Sequence, residues 1–169
     1  TMADFVKCFE NTMRNEGYGA YTNDPADSGG ETNWGISRRA HPDIDIQNLD
    51  RKAAMNIYRR EYWEKIQGDN IAHQQIAQLF FDTAVLSGVI TSIKLTQIAA
   101  NCPPIDGIMG PVTLNAINNL SQINRDIFFL RFCMARIKRY SKICTRLPSQ
   151  KKYLLGWINR ALQTVKGSL

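Results

Sequence analysis

Five of the eleven glycines in this 169-residue chain fall between Gly17 and Gly35. Glycine is costly inside helices and strands, so a cluster this dense marks backbone that turns sharply and does not extend a regular element. Outside the cluster, apolar residues recur at helical spacing. Phe5, Val6, Phe9 and Met13 predict a first helix that stops at Gly17, which puts Glu16 at a helix end. The glycine-rich segment thus interrupts a mainly α-helical chain, and it holds Asp24, Asp27, Glu31 and Thr32. Within it, Tyr21-Thr22 and Trp34-Gly35-Ile36 are the pieces expected to extend, as parts of a short hairpin.

Helical patterns resume over 50–65, 70–87 and 89–101. Beyond Pro103-Pro104 a short helix is predicted from Pro111 to about Leu120, and two longer ones follow at 123–144 and 149–165, separated by a stop at Pro148. The best boundary is the turn at 101–110. It gives a first region, 1–101, and a second helical region, 102–169, expected to pack as one unit. A hydrophobic content of 44% is enough for a sizeable core. No stretch approaches the ~18 uninterrupted apolar residues of a spanning helix, so no transmembrane segment is expected. The first sixteen residues carry acids and amides and do not read as a signal peptide, so synthesis in the cytoplasm is expected. Cys8, Cys102, Cys133 and Cys144 lie far apart without metal-ligand spacing and are expected to be reduced and buried. His41 and His73 stand alone, so neither a metal site nor a histidine-based triad is predicted.

The net charge of +6 is unevenly spread. Residues 1–121 hold ten Lys/Arg against fourteen Asp/Glu, whereas residues 122–169 hold eleven against Asp126 alone. The basic end reads either as a solvated helical surface or as a contact for an anionic envelope surface. Its aromatics form no stacking platform and no recognition-helix motif stands out, so nucleic acid is not an expected partner.

A Glu at the end of a rigid helix, followed by a turn region that can bring further carboxylates and a hydroxyl towards it, is the minimum equipment for acid-assisted cleavage of a glycosidic bond. Glu16 is the candidate acid. Asp24 and Asp27 either cap turns through their own backbone or stabilise an oxocarbenium-like transition state or activate water. Thr32 is positioned in sequence to orient that water, and Glu31 ranks below these four. Tyr21 and Trp34 are candidates to line a sugar site, because C–H faces of sugar rings stack on aromatic groups. Gly29 and Gly30 permit a close approach of backbone to substrate. Asp82 reads as a structural acid, and Tyr62, Trp63 and Trp157 as core or groove walls.

The ordered string Glu16-Gly17, Asn23-Asp24-Pro25-Ala26-Asp27, Gly29-Gly30 and Thr32 followed by Gly35-Ile36-Ser37 resembles the N-acetylmuramidases of glycoside hydrolase family 108, which include phage endolysins and bacterial secretion activator proteins. Tyr18 interrupts the family's paired glycines, and the spacing to Asp24 is slightly longer. Tyr62-Trp63 and Phe81-Asp82 with Gly88 are similar to further family features. Asp106-Gly107-Ile108-Met109-Gly110-Pro111-Val112-Thr113 resembles the signature of peptidoglycan-binding helical modules, and Gly156-Trp157 resembles the family's C-terminal motif. The resemblance implies a lysozyme-like helical fold with a glycine-rich active-site loop. It implies hydrolysis of the β-1,4 bond between N-acetylmuramic acid and N-acetylglucosamine in peptidoglycan glycan strands, with Glu16 as general acid and no cofactor. It also implies substrate contacts at Asp106 and Thr113, and action in the periplasm or cell wall by an unspecified export route. A non-catalytic peptidoglycan-binding or secretion-accessory protein on the same fold is the alternative.

Overall fold

A computed structural model describes residues 1–15, 20–25 and 29–165. Among these residues the chain is mainly α-helical with one two-stranded sheet, and it divides into two compact units, Thr1–Asp82 and Thr83–Leu169.

The first unit is organised around α1, Phe5–Asn15, which buries Phe5, Cys8, Phe9, Thr12 and Met13 along one face. The Asp4 carboxylate starts the helix by accepting from the backbone N–H of Val6 at 2.8 Å and of Lys7 at 3.3 Å. Two glutamines one turn apart on α3, Gln74–Ser87, fasten α1 in register. The side chain of Gln74 accepts from Asp4 N at 2.7 Å and donates to its carbonyl at 3.2 Å, while Gln78 donates to Cys8 O at 3.3 Å and to the Thr12 hydroxyl at 3.2 Å.

The second helical pattern, expected over 50–65, is split. The helix α2, Arg51–Tyr58, begins with the Asp50 carboxylate accepting from Ala53 N at 2.7 Å, and a π-turn follows at Arg59–Trp63. The wider turn, closed by Glu64 N donating to Arg59 O at 2.9 Å, changes the phase of the helix and carries Trp63 into full burial against Phe5 and Phe81. The Trp63 indole N–H donates to Asp69 at 2.8 Å, and Asp69 also receives Arg59 at 2.5 Å. Gly68 is required there, because a Cβ would lie 2.2 Å from the indole ring.

The second unit contains α4, Val89–Ala99; α5, Pro111–Asn118; α6, Gln122–Arg146; and α7, Leu154–Gln163. The helix α6 packs against α4 and α7. Its Cys133 and Tyr140 join Ala161 and Val165 in a buried cluster flanked by Trp157. The helix expected from residue 149 opens as a 3-10 turn at Pro148–Tyr153, and Leu154 starts regular α-helix. The turn at 101–110 lies inside this unit. Gln97, buried on α4, holds the turn together: its amide donates to Asp106 at 2.8 Å, Ile108 O at 3.2 Å and the Thr113 hydroxyl at 3.1 Å, and its oxygen accepts from Gly107 N at 3.0 Å. All four cysteines are free and buried, and burial pushes the Cys8 thiol up to about 12. Among the described residues no helix is long and apolar enough to cross a membrane.

Candidate active site

The described part of the glycine-rich segment is a hairpin with a third chain laid beside it. Strands β1, Thr32–Asn33, and β2, Ile36–Ser37, pair antiparallel with Thr32 opposite Ser37. Thr32 also exchanges both backbone hydrogen bonds with Thr22, at 2.8 and 2.9 Å, so it is the central residue of the array.

Trp34 and Gly35, expected to extend, form the two-residue turn, with φ of 55° and 73°. Positive φ at both central residues gives a turn whose twist matches the flanking strands. Gly35 adopts it freely, whereas Trp34 is strained and needs compensation. That compensation is visible: the Trp34 indole donates to Leu49 O at 3.0 Å, and the Tyr58 hydroxyl donates to the Trp34 carbonyl at 2.8 Å. Asn33 adds a bond from its side-chain amide to Ile46 O at 3.0 Å. The hairpin is thereby pinned to the 46–49 loop and to the end of α2.

The strand register places Glu31 and Arg38 next to the Thr32–Ser37 pair, and their side chains meet. Arg38 donates to Glu31 through Nε at 3.0 Å and Nη2 at 2.6 Å, and the Tyr21 hydroxyl adds a bond at 2.9 Å. The guanidinium also reaches Ile44 O at 2.8 Å. The Arg38 bonds first, and the Tyr21 bond second, hold the Glu31 carboxyl below its ordinary range; the same Glu31 contact raises Tyr21. Glu31 is therefore an ionised fastener of this segment and is unsuited to donate a proton.

Among the other expected residues, Thr32 is partly exposed, and its hydroxyl makes a long 3.4 Å contact to Gly30 O. Gly30 has φ of 69°, a conformation that favours glycine. The Gly29 carbonyl accepts from Arg39 N at 3.3 Å. Asp24 and Tyr21 are exposed, and Trp34 is half-buried. Glu16 and Asp27 lie outside the described residues; Glu16 directly follows the last residue of α1. Asp106 and Thr113 are brought together by Gln97, with Asp106 exposed and Thr113 buried. Asp106 is held below its usual carboxylate range, first by Ile108 N and then by Gln97. Among the described residues no group of three or more His, Cys, Asp or Glu is placed to hold a metal ion.

The sequence reading missed Arg38, Tyr58, Asn33 and Gln97, which position the others. Arg38 is recoverable from register once the turn is set at Trp34-Gly35, because residues that flank a paired position face each other across a hairpin. Gln97 carries no such mark.

The described residues thus give a helical first unit with a pinned hairpin and a helical second unit. Residues 9–88 match the family described as "Glycosyl hydrolase 108", and residues 94–162 match the "Predicted Peptidoglycan domain". A glycosyl hydrolase 108 domain over residues 9–88 is thus followed by a peptidoglycan domain over 94–162, and the chain is a glycoside hydrolase of the muramidase type, acting on peptidoglycan. Among solved structures, Brucella abortus SagA is similar, with a TM-score of 0.73 and 26% identity over 95% of this chain and 90% of that one. No curated protein matches the chain.

Proposed function

We propose that Glu16 is the general acid of this muramidase, protonating the leaving oxygen of the β-1,4 bond between N-acetylmuramic acid and N-acetylglucosamine. The observation that carries this reading is the commitment of Glu31. Glu16 and Glu31 are the glutamates of the 16–37 segment, and Glu31 is held as an anion by Arg38 and Tyr21. A general acid must keep a neutral fraction near the working pH, which Glu31 does not.

In this reading the loop is the lysozyme-like active-site element. Asp24 or Asp27 stabilises the oxocarbenium-like transition state or activates water, and the Thr32 hydroxyl orients that water. Tyr21 and Trp34 line the sugar site, with Gly29 and Gly30 allowing the glycan to approach backbone. Asp106 and Thr113 belong to the peptidoglycan-binding part, where their bonds to Gln97 favour a share in shaping the turn. The basic end forms a contact for the anionic envelope, and the site of action is the periplasm or cell wall, where the substrate lies. Lys138, Lys142 and Arg146 of α6 are exposed and available for that contact, whereas Arg136, counted with them from sequence, is buried.

The test is digestion of purified cell walls by the native chain and by Glu16→Gln, with mass analysis of the fragments. The variant should keep its fold and lose at least ~100-fold in rate, the scale of a missing general acid. Near-native turnover by Glu16→Gln overturns the assignment.

A further inference from the structure

The second unit contains a cavity of about 270 Å³ walled by α6, α7 and Leu86 and Ser87 at the end of α3 that the hydrolase reading leaves unused. Three guanidinium groups line it, those of Arg136, Arg139 and Arg160, together with Tyr140 and Trp157. Arg136 is only 2% exposed; its Nε donates to the Tyr140 hydroxyl at 3.1 Å, and its guanidinium sits 5.9 Å from that ring's centroid. The Arg139 Nε is buried and has no hydrogen-bond partner among the described residues. Tyr140 and Trp157 stack with centroids 5.2 Å apart and planes at 29°, which makes a flat apolar wall beside the charges.

Two side-chain carboxylates belong to this unit. They are Asp106, already bonded to Gln97 and to Ile108 N, and Asp126, which precedes Arg136 on α6 by about 15 Å of helix rise. Among the described residues neither Arg136 nor Arg139 has a carboxylate partner. A desolvated guanidinium without a counter-charge is costly, so a fold that places two together at a cavity wall is built for an incoming anion. The planar fork of Arg suits carboxylate oxygens, and the aromatic wall suits a small apolar group attached to them. At roughly 30 Å³ per water, the cavity equals about nine waters, room for the end of a short peptide.

Resting on the reading of this chain as a peptidoglycan hydrolase, we propose that the cavity binds the free terminal carboxylate of the peptide stem that peptidoglycan carries. Arg136 and Arg139 hold the carboxylate, and the stacked Tyr140 and Trp157 take the methyl group of a terminal alanine. The α6 and α7 residues that line the cavity fall within the residues matched as a peptidoglycan domain, so it would anchor the wall through its peptides while the first unit cuts its glycans.

The test is calorimetric titration of the full chain with N-acetylated D-alanyl-D-alanine bearing a free carboxylate, with its C-terminal amide, and with inorganic phosphate. The acid should bind, and the amide should bind at least about tenfold more weakly, the scale of one lost charge-assisted hydrogen bond. Arg139→Gln should lose a similar factor; Arg139 is partly exposed, so this change is safer for folding than one at buried Arg136. Equal binding of acid and amide, binding of neither, or displacement of the peptide by phosphate at comparable concentration each overturns the proposal, the last by making the cavity a simple oxyanion site. Turnover does not enter this measurement. A failure here leaves the hydrolase reading intact, and a chain that binds the acid peptide without cutting walls fails only the hydrolase reading.

Discussion

Gly35→Ala tests whether the hairpin is held by the contacts described. An alanine Cβ at this position would lie 2.7 Å from the Tyr58 hydroxyl, on a backbone with φ of 73°. The left-handed conformation costs an alanine about 1–2 kcal/mol. The hydroxyl must also move, which breaks its 2.8 Å bond to the Trp34 carbonyl and adds about 1–2 kcal/mol. The sum is about 3 kcal/mol, equivalent to a fall in Tm of roughly 15 °C for a unit of this size. Tyr58→Phe alone removes only the hydrogen bond and should cost about 1.5 kcal/mol. In the double variant the clash and the bond are both gone, so Gly35→Ala should add only its backbone term and the pair should be no less stable than Gly35→Ala by itself. Urea unfolding of the four proteins measures this cycle, with an expected coupling of about 1.5 kcal/mol. Strict additivity would show that Tyr58 does not sense the turn and would refute the reasoning. Wall hydrolysis should fall in step with the loss of the hairpin, because Thr32 sits at its centre.

Glu31→Gln should destabilise the first unit at neutral pH, and the sign of its pH dependence follows from the lowered pKa: the stabilisation is present above the ordinary value of 4.5 and is lost as pH falls through the lower folded value, so native and variant melting curves should converge in acid. A constant gap down to the lowest pH measured would contradict the Arg38 lock. Gln97→Ala removes the four bonds that Gln97 makes to the 106–113 turn, leaving that of Ile108 N to Asp106, and should cost about 2–4 kcal/mol in the unfolding of the second unit; a neutral effect would show that the turn holds itself. Reversal of Lys138, Lys142 and Arg146 to Glu should weaken sedimentation with anionic envelopes, and native binding should fall with salt as charges are screened over about 10 Å at 0.1 M. Unchanged affinity in the folded variant leaves that face solvated and nothing more.

Where the sequence was informative, period and punctuation agreed. Phe5, Phe9 and Met13 share one face of α1, Pro111 opens α5 and Pro148 follows α6, and each of these effects is local to a few residues. What stayed hidden depends on partners remote in sequence. Trp34 reads as a strand residue because aromatic side chains favour pleated surfaces, yet bonds to Leu49 and from Tyr58 compensate a left-handed backbone that its propensity opposes. Arg136 counts as one more basic residue of an exposed stripe until α7 is packed onto α6 and Tyr140 covers its guanidinium. The π-turn at Arg59–Trp63 leaves the apolar pattern nearly helical, so only the burial of Trp63 reveals the change of phase.

On the proposal that Glu16 is the acid, the two glutamates of the glycine-rich segment divide their duties. An acid that must give up a proton during the reaction cannot also be a fixed anchor, because each donor that tightens an anchor makes the carboxyl more reluctant to hold a proton. Glu31 accepts three such bonds and lies on a strand end whose register is set by Thr32 and Ser37. It gives the loop rigidity at the expense of acidity. That rigidity is what the remaining groups need: a hydroxyl or carboxylate assists a developing positive charge only when it is already in position as the bond breaks. Under the proposed assignment proton transfer falls to Glu16, which in sequence directly follows α1, the helix that Gln74 and Gln78 fasten.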